Sequence, residues 1–357
     1  MMPIREVIYQ KDFQSTRYCL LAGDIGGTNS NFGIFELRGT VPTLLISLHV
    51  KSQEVTDYAT LTAQLLRFCK DTYGIVLRQA CFGAAGIITS AREHAKPTNL
   101  SVAIDARAII EKTELETLVL INDFEAVGLG IDYINQKDLI SIIRGGPKLH
   151  AQKACIGAGT GMGKAALLWN NHFKRYLPIT SEGGHADCAA QNPLESKLFE
   201  FIQADTDSLN CPVSWEAVLS GSGIQRMYRF LGTQKQYQYT GISQDIIEHG
   251  FKPDLISSYA QKDEQCLDTF NLYATFYARC AKNFVLDVLA LNGIYIAGGI
   301  AAKNIGLFRK PEFINEFTRC GRHSKILELV PVTIVADYNV SLYGAAAFLQ
   351  LNQEGVL

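Results

Sequence analysis

The chain has 357 residues, 47% of them hydrophobic, and a formal net charge of −2. That length supports a large core and about two domains, and the near-neutral charge argues against nucleic acid or an anionic membrane surface as the main partner. No run of about 18 consecutive apolar residues is present to form a transmembrane helix, and nine scattered cysteines without a C-x-x-C pair read as reduced thiols of a cytoplasmic protein, with no zinc spacing.

Residues 1–17 mix charges without an apolar core, so they read as an N-terminal extension, frayed or packed, and not as a secretion signal. Cys19 to Phe35 reads as strand, glycine turn, strand: an apolar run ends at Asp24, Gly26-Gly27 marks a turn, and apolar residues return without helical spacing. The third glycine and following helix of a dinucleotide loop are absent, as is the Gly-Lys-Ser/Thr of a Walker loop. What remains is either an ordinary hairpin or a phosphate cradle, in which the backbone of Gly26 and Gly27, with Thr28 and Asn29 beside it, approaches a ligand closely. Apolar spacing predicts a helix over 57–73 and a strand over 75–82 ending in the turn Gly83 to Gly86. From Ile87 to Ile104 the pattern is irregular and reads as a surface loop. Thr117 to Ile121 is a buried-type strand that delivers Asn122 and Asp123 at its C-terminal end, before a helix starting near Phe124. Ligands in open α/β sheets bind outside such ends; a helix N-cap is the other role open to Asp123.

Arg144 to Pro147 is a turn, and Lys153 to Trp169 repeats the apolar run, glycine turn and apolar return, now with Gly157, Gly159, Gly161 and Gly163. Two glycine hairpins opening two halves point to a duplicated α/β architecture holding a phosphate chain. Pro178 to Ala189 reads as a loop carrying Glu182 and His185, which by themselves would be solvated surface residues. Asn192 to Glu195 is a capping box with proline at the first helical position. Ser214 opens a helix in which Glu216 is, by default, a first-turn glutamate favoured by the helix dipole. Residues 265–291 form the longest helical pattern, with an aromatic stripe suited to a core or a subunit interface. Residues 294–297 read as a strand entering Gly298-Gly299, followed by a strand at 332–335 and a helix at 340–351.

Taken together, Asp24-Ile-Gly-Gly-Thr-Asn29, Ile121-Asn-Asp-Phe124, Gly157-Ala-Gly-Thr-Gly161, Glu182-Gly-Gly-His185 and Ala297-Gly-Gly-Ile300 resemble, in order and spacing, the bacterial glucokinases. The resemblance runs from about Tyr18 to the C-terminus. It implies an α/β, two-domain, actin-like (ribonuclease H-like) sugar kinase fold with a cleft between a small domain, 18–133 plus 336–357, and a large domain, 134–335, and it implies a homodimer. It also implies ATP-dependent phosphorylation of the 6-hydroxyl of glucose. Asp123 would be the general base, and Asn99, Asn122, Asp123, Glu182, His185 and Glu216 would hold the sugar. Asp24, Gly26, Gly27, Thr28, Asn29, Gly159, Thr160, Gly161, Gly298 and Gly299 would meet the nucleotide. Asp24 would contact the accompanying Mg²⁺ through water. Such an inventory suits the reaction, because acceptor carboxylates recognise hydroxyls and glycine turns admit phosphates. The chain departs from the family pattern at Ala85, where a proline is usual, and in Gly184-His-Ala-Asp-Cys-Ala-Ala190, which lacks the usual Phe and Pro. Cys188 stands alone, unlike the cysteine-rich zinc loop of some relatives. Two other readings remain: a kinase for another hexose, and a sugar sensor that binds without turnover. The lack of a DNA-binding helix pair and the presence of Asp123 weigh against the sensor.

Overall fold

The computed structural model describes residues 3–10, 18–39, 41–97, 100–206, 211–234 and 236–356. They fall into two compact units. One comprises Met1–Asp138, Leu167–Thr180 and Asp337–Leu357, the other Leu139–Ala166 and Ser181–Ala336.

The first unit is built on a six-stranded sheet in the order Arg5–Ile8, Val41–Lys51, Asn29–Arg38, Cys19–Ile25, Gln79–Ala84, Thr117–Asn122. Cys19–Ile25 pairs antiparallel with Asn29–Arg38 on one side and parallel with Gln79–Ala84 on the other. Part of the N-terminal extension is thus an edge strand, with Arg5–Ile8 antiparallel to Val41–Lys51. Side chains alternate across the sheet as the two-residue period requires. Leu21, Ile25, Phe32 and Ile34 join one core with the helix Tyr58–Tyr73, while Leu20, Ala22, Phe35 and Cys81 join another with the helices Asp123–Gly130 and Val340–Gln353. Those two helices pack backbone to backbone. A Cβ on Gly130 would lie 1.8 Å from the Val340 carbonyl oxygen, and one on Gly344 would lie 1.7 Å from that of Ala126. Gly344 is therefore a crossing point.

The strand expected from residue 75 begins at Gln79. Gly74 closes the preceding helix at φ 66°, its N–H bonding to the Cys69 and Lys70 carbonyls, and Ile75 N–H also returns to Cys69. This C-terminal turn buries Ile75 and Leu77 as loop residues. Their apolar character therefore reports packing, not a ladder.

A second six-stranded sheet repeats the plan: Arg175–Ser181, Met162–Asn170, Lys153–Ala158, Ile294–Ala297, Val332–Val335, Leu139–Ile143, with the third to fifth of these parallel and the last antiparallel. The loop expected from Pro178 is strand as far as Ser181. Against this sheet packs the helix Glu264–Val288, ended by Leu289 at φ 51°. Its aromatic stripe is core: Phe270, Tyr273, Phe276 and Tyr277 are buried, and edge-on contacts run from Tyr277 to Phe308 and on to Phe313. The same helix carries a buried charge cluster. Arg279 makes a bidentate pair with Glu195 at 2.7 and 2.9 Å and a further bond to Glu316 at 2.8 Å. The expected capping box is half made: Asn192 Oδ1 accepts from Glu195 N–H, while the Glu195 carboxylate accepts from Gln191 N–H and Asn192 Nδ2 and not from Asn192 N–H. Among the described residues, no helix is long and apolar enough to cross a membrane.

Candidate active site

Three parallel strands of the first unit end together. The register pairs Ile25 with Ala84 and Ala84 with Asn122, so the Gly26 turn, the Gly83–Gly86 turn and Asp123 leave the same end of the sheet on adjacent strands. At roughly 4.8 Å between strands, the first hairpin and the start of the Asp123 helix are about 10 Å apart. This is the strand end at which open α/β sheets bind ligands.

The first hairpin is closed by Gly26 N–H donating to the Asn29 carbonyl at 3.1 Å. It is held from behind by neutral groups: Ser52 Oγ donates to the Gly26 carbonyl at 2.6 Å, Ser52 N–H donates to the Thr28 carbonyl, and Ser30, Ser52 and Tyr58 share hydroxyl contacts. Asp24, at the end of the strand, accepts a 2.8 Å hydrogen bond from Ser341 on the C-terminal helix. Burial pushes its carboxyl above the usual range, against hydrogen bonds from Ser341 and Asn31. A desolvated carboxylate beside a glycine turn is suited to meeting a cation.

The cap of the next helix is Asn122, not Asp123. Asn122 Oδ1 accepts from Phe124 N–H and Glu125 N–H, while the Glu125 carboxylate accepts from Asn122 N–H, a complete capping box. Asn122 Nδ2 donates to the Gly86 carbonyl at 3.3 Å. Asp123 is the first helical residue. One of its own oxygens accepts from Phe124 N–H at 2.9 Å. Asn99 lies outside the described residues.

In the second unit, Glu182, His185 and Glu216 form one cluster. His185 Nε2 is 3.8 Å from Glu182 and His185 Nδ1 is 3.9 Å from Glu216. These gaps exceed hydrogen-bond length, so the three polar groups converge without saturating one another. The loop turns on His185 N–H to the Glu182 carbonyl, and Glu216 N–H bonds to the Gly184 carbonyl. Glu216 is indeed a first-turn glutamate, in the four-residue helix Trp215–Val218 capped by Ser214, but its carboxylate reaches the second hairpin and accepts from Met162 N–H at 2.9 Å. Around that hairpin the glycines divide. A Cβ on Gly161 would come within 2.5 Å of Glu216 Oε2, one on Gly184 within 1.8 Å of the Met162 carbonyl, and one on Gly298, at φ 95°, within 2.6 Å of the Ala158 carbonyl. Gly159 faces open space. Thr160 sits between these two glycines in the turn that joins the hairpin's strands, and Gly299 opens the short helix Gly299–Lys303 that follows Gly298.

Several supporting groups left little trace in the sequence. Ser341 reaches Asp24 from 317 positions away. Lys164, buried in an otherwise apolar strand, lies over the rings of Trp215 and Phe284 and beside Gly183, beneath the Glu182 loop. Cys188, where the resembling pattern has Phe, is buried and bonded through its N–H to the Val213 carbonyl. Glu125 was visible in principle, since Asn122-x-x-Glu125 is a capping-box spacing.

A glucokinase family model matches residues 21–352. The chain belongs to the glucokinase family. A glucokinase of Nostoc punctiforme is 33% identical over 343 residues, covering 92% of this chain and 97% of that protein. Among solved structures, a glucokinase from an Antarctic psychrotroph has a TM-score of 0.75 at 26% identity, covering 93% of this chain and 98% of that one. A ROK family glucokinase from Streptomyces griseus, solved in complex with glucose and AMPPNP, has a TM-score of 0.67 at 17% identity, covering 93% and 99%. The fold of this glucokinase family member is thus the actin-like sugar kinase fold expected from its motifs.

Proposed function

We propose that this enzyme transfers the γ-phosphoryl group of ATP to the 6-hydroxyl of glucose, giving glucose 6-phosphate and ADP, with Asp123 as general base. The observation that carries the reading is the shared strand end. The register puts Asp123 and the first glycine hairpin at the same end of one sheet, with the Gly83–Gly86 turn between them, and the capping box is made by Asn122. Asp123 accepts the proton as the hydroxyl oxygen attacks phosphorus, and Glu182, His185 and Glu216 accept from or donate to ring hydroxyls. Asn122 lends its support through the turn it caps. The glycine hairpins admit the phosphates with their backbone N–H groups, and the open face of Gly159 suits that approach. A neighbour solved with glucose and AMPPNP lends support to both substrates.

Asp24 fits a nucleotide-borne Mg²⁺ on its own chemistry, being a desolvated hard oxygen donor whose remaining partners are neutral. Among the described residues there is no group of three or more His, Cys, Asp or Glu that could hold an ion. As a single carboxylate, Asp24 would meet the ion through its water shell. When bound, Mg²⁺ neutralises charge on the phosphoryl group in transfer. Ser341 holds the Asp24 carboxylate for that contact.

The test is ADP release with Mg-ATP, with and without glucose and across a panel of hexoses, using a coupling enzyme specific for the 6-phosphate. Asp123→Asn should lower kcat by about 10²- to 10⁴-fold, the range for general-base loss, and leave glucose binding within about threefold. Turnover in Asp123→Asn at the wild-type rate would exclude the base role. Product unseen by the 6-phosphate coupling enzyme would exclude the regiochemistry.

A further inference from the structure

We propose that Arg92 is a positioning residue for Asp123, holding the first turn of its helix through Glu125. The inference rests on the reading of Asp123 as base and adds a residue to it.

Arg92 lies in the irregular segment after the Gly83–Gly86 turn, and four observations converge on it. Its guanidinium makes a bidentate pair with Glu125, Nη1 to Oε2 and Nη2 to Oε1, both at 2.9 Å. Its Cζ lies 4.7 Å from the centroid of the Phe348 ring on the C-terminal helix, so a cation–π contact and ion pairing fix it together. Its backbone carbonyl accepts Leu120 N–H at 2.8 Å, tying the segment to the strand that ends in Asn122. Finally, its φ is 56°, a conformation rarely adopted by residues other than glycine, asparagine or aspartate. Strain of this kind persists where the surroundings over-determine it.

What Arg92 grips is the carboxylate that completes the cap. The Glu125 side chain is only 6% exposed, and Oε2 also accepts from Asn122 N–H. Both ends of the Asn122 amide are already committed, Oδ1 to the helix N–H groups and Nδ2 to Gly86. Arg92, Glu125, Asn122 and Gly86 therefore form a continuous chain of hydrogen bonds around the peptide that carries Asp123. Removing Arg92 leaves a buried carboxylate unpaired, and such a group swings toward water or takes up a proton. The first response releases Asn122 N–H, the second weakens the bond it makes, and both loosen the first turn. A displacement of about 1 Å at a reacting group is enough to cost up to about 100-fold in rate.

The conservative variant separates positioning from mere scaffolding. Lysine keeps the charge and much of the packing on Phe348 but loses the two-pronged grip. We expect kcat to fall in the order wild type, Arg92→Lys, Arg92→Met, with a loss of tenfold or more for methionine and threefold or more for lysine. Glucose Kd, measured by calorimetry on folded protein, should stay within threefold for both. If Arg92→Met does not fold, Arg92→Lys alone decides: a kcat within threefold of wild type overturns the proposal. So does a change confined to Kd. The route through Asp123 is read in the double variant, where adding Arg92→Lys to Asp123→Asn should cost no further rate. A full further loss there means Arg92 acts on something other than the base, which also overturns it. Wild-type turnover in Asp123→Asn alone identifies a different failure, that of the base itself.

Discussion

The two six-stranded sheets share one strand order, third-second-first-fourth-fifth counted from each glycine hairpin, yet the hairpins are supported by different chemistry. In the first unit the turn rests on neutral hydroxyls, with Ser52 bonding to the Gly26 carbonyl. In the second it rests on a carboxylate, Glu216, bonded to Met162 N–H. A repeated backbone plan thus supplies two glycine hairpins, and the side chains behind them differ. The second hairpin is wired into the Glu182–His185–Glu216 cluster, because Glu216 serves both.

The units also differ in how they hold buried charge, which gives the largest expected effect. In the second unit the side chains of Arg279 and Glu195 are 5% and 2% exposed, and Glu316 completes the cluster. Arg279→Met leaves two buried carboxylates without their shared cation, and should destabilise the protein by about 3–5 kcal/mol in urea unfolding. Unfolding should become biphasic, with the second unit melting first. A loss below about 1 kcal/mol would mean that the cluster is solvated. The Arg92–Glu125 pair of the first unit, whose arginine is 37% exposed, should cost less stability on the same change.

A smaller effect separates the glycines of the second hairpin. Gly161→Ala drives a Cβ to within 2.5 Å of Glu216 Oε2, whereas Gly159→Ala meets nothing within 4 Å. Neither position has a left-handed φ, so alanine is free of backbone strain at both. Gly161→Ala should displace the carboxylate and raise the glucose KM about tenfold. Gly159→Ala should leave the melting temperature unchanged and raise the KM for ATP alone, through its open face. Equal effects on both KM values from both variants would show that the two substrates do not divide the hairpin as proposed.

These distinctions mark what the chain discloses by itself. The hairpins, the strand ending at Asn122 and the aromatic helix were legible because period and glycine punctuation are local signals, printed within ten or twenty residues. The C-terminal helix was legible as a helix, while its backbone crossing at Gly344 depended on Gly130, more than two hundred positions earlier. Asp123 was ambiguous between base and cap because a carboxylate at a strand-to-helix junction serves either role. The cap at Asn122 became clear only when the amide could be followed to Phe124 and Gly86. Ser341 and Arg92 were silent. Each acts through one side-chain contact across the fold, and no residue near either announces it. The start of the strand at Gln79 was misread for the opposite reason, since Ile75 and Leu77 look like strand residues but are buried by a helix C-cap.

The smallest expected effect sets the two units in opposition as pH is lowered. Glu316 has its pKa pushed up by burial, but bonds from Arg279 and Arg319 outweigh this and hold it below its ordinary 4.5. A group depressed in the folded state contributes stability above its unfolded pKa and loses it as pH falls through the folded one. Asp24 is the reverse. Burial holds its carboxyl above 3.8, so the folded state binds the proton more tightly than the unfolded chain does. Its contribution is most favourable when protonated, at pH below the unfolded value, and is lost as pH rises through the folded pKa. The charged form of Asp24 is therefore the one that burial makes costly. Asp24→Asn, which still accepts from Ser341, should raise stability at pH 7 by about 1 kcal/mol or less and flatten the first unit's acid dependence, while turnover collapses. Glu316→Gln should lower stability at pH 7 and bring the variant closer to wild type toward pH 3. If Asp24→Asn were less stable than wild type at pH 7, the carboxylate would be a structural anchor, and the desolvated cation contact assigned to it would lose its physical basis.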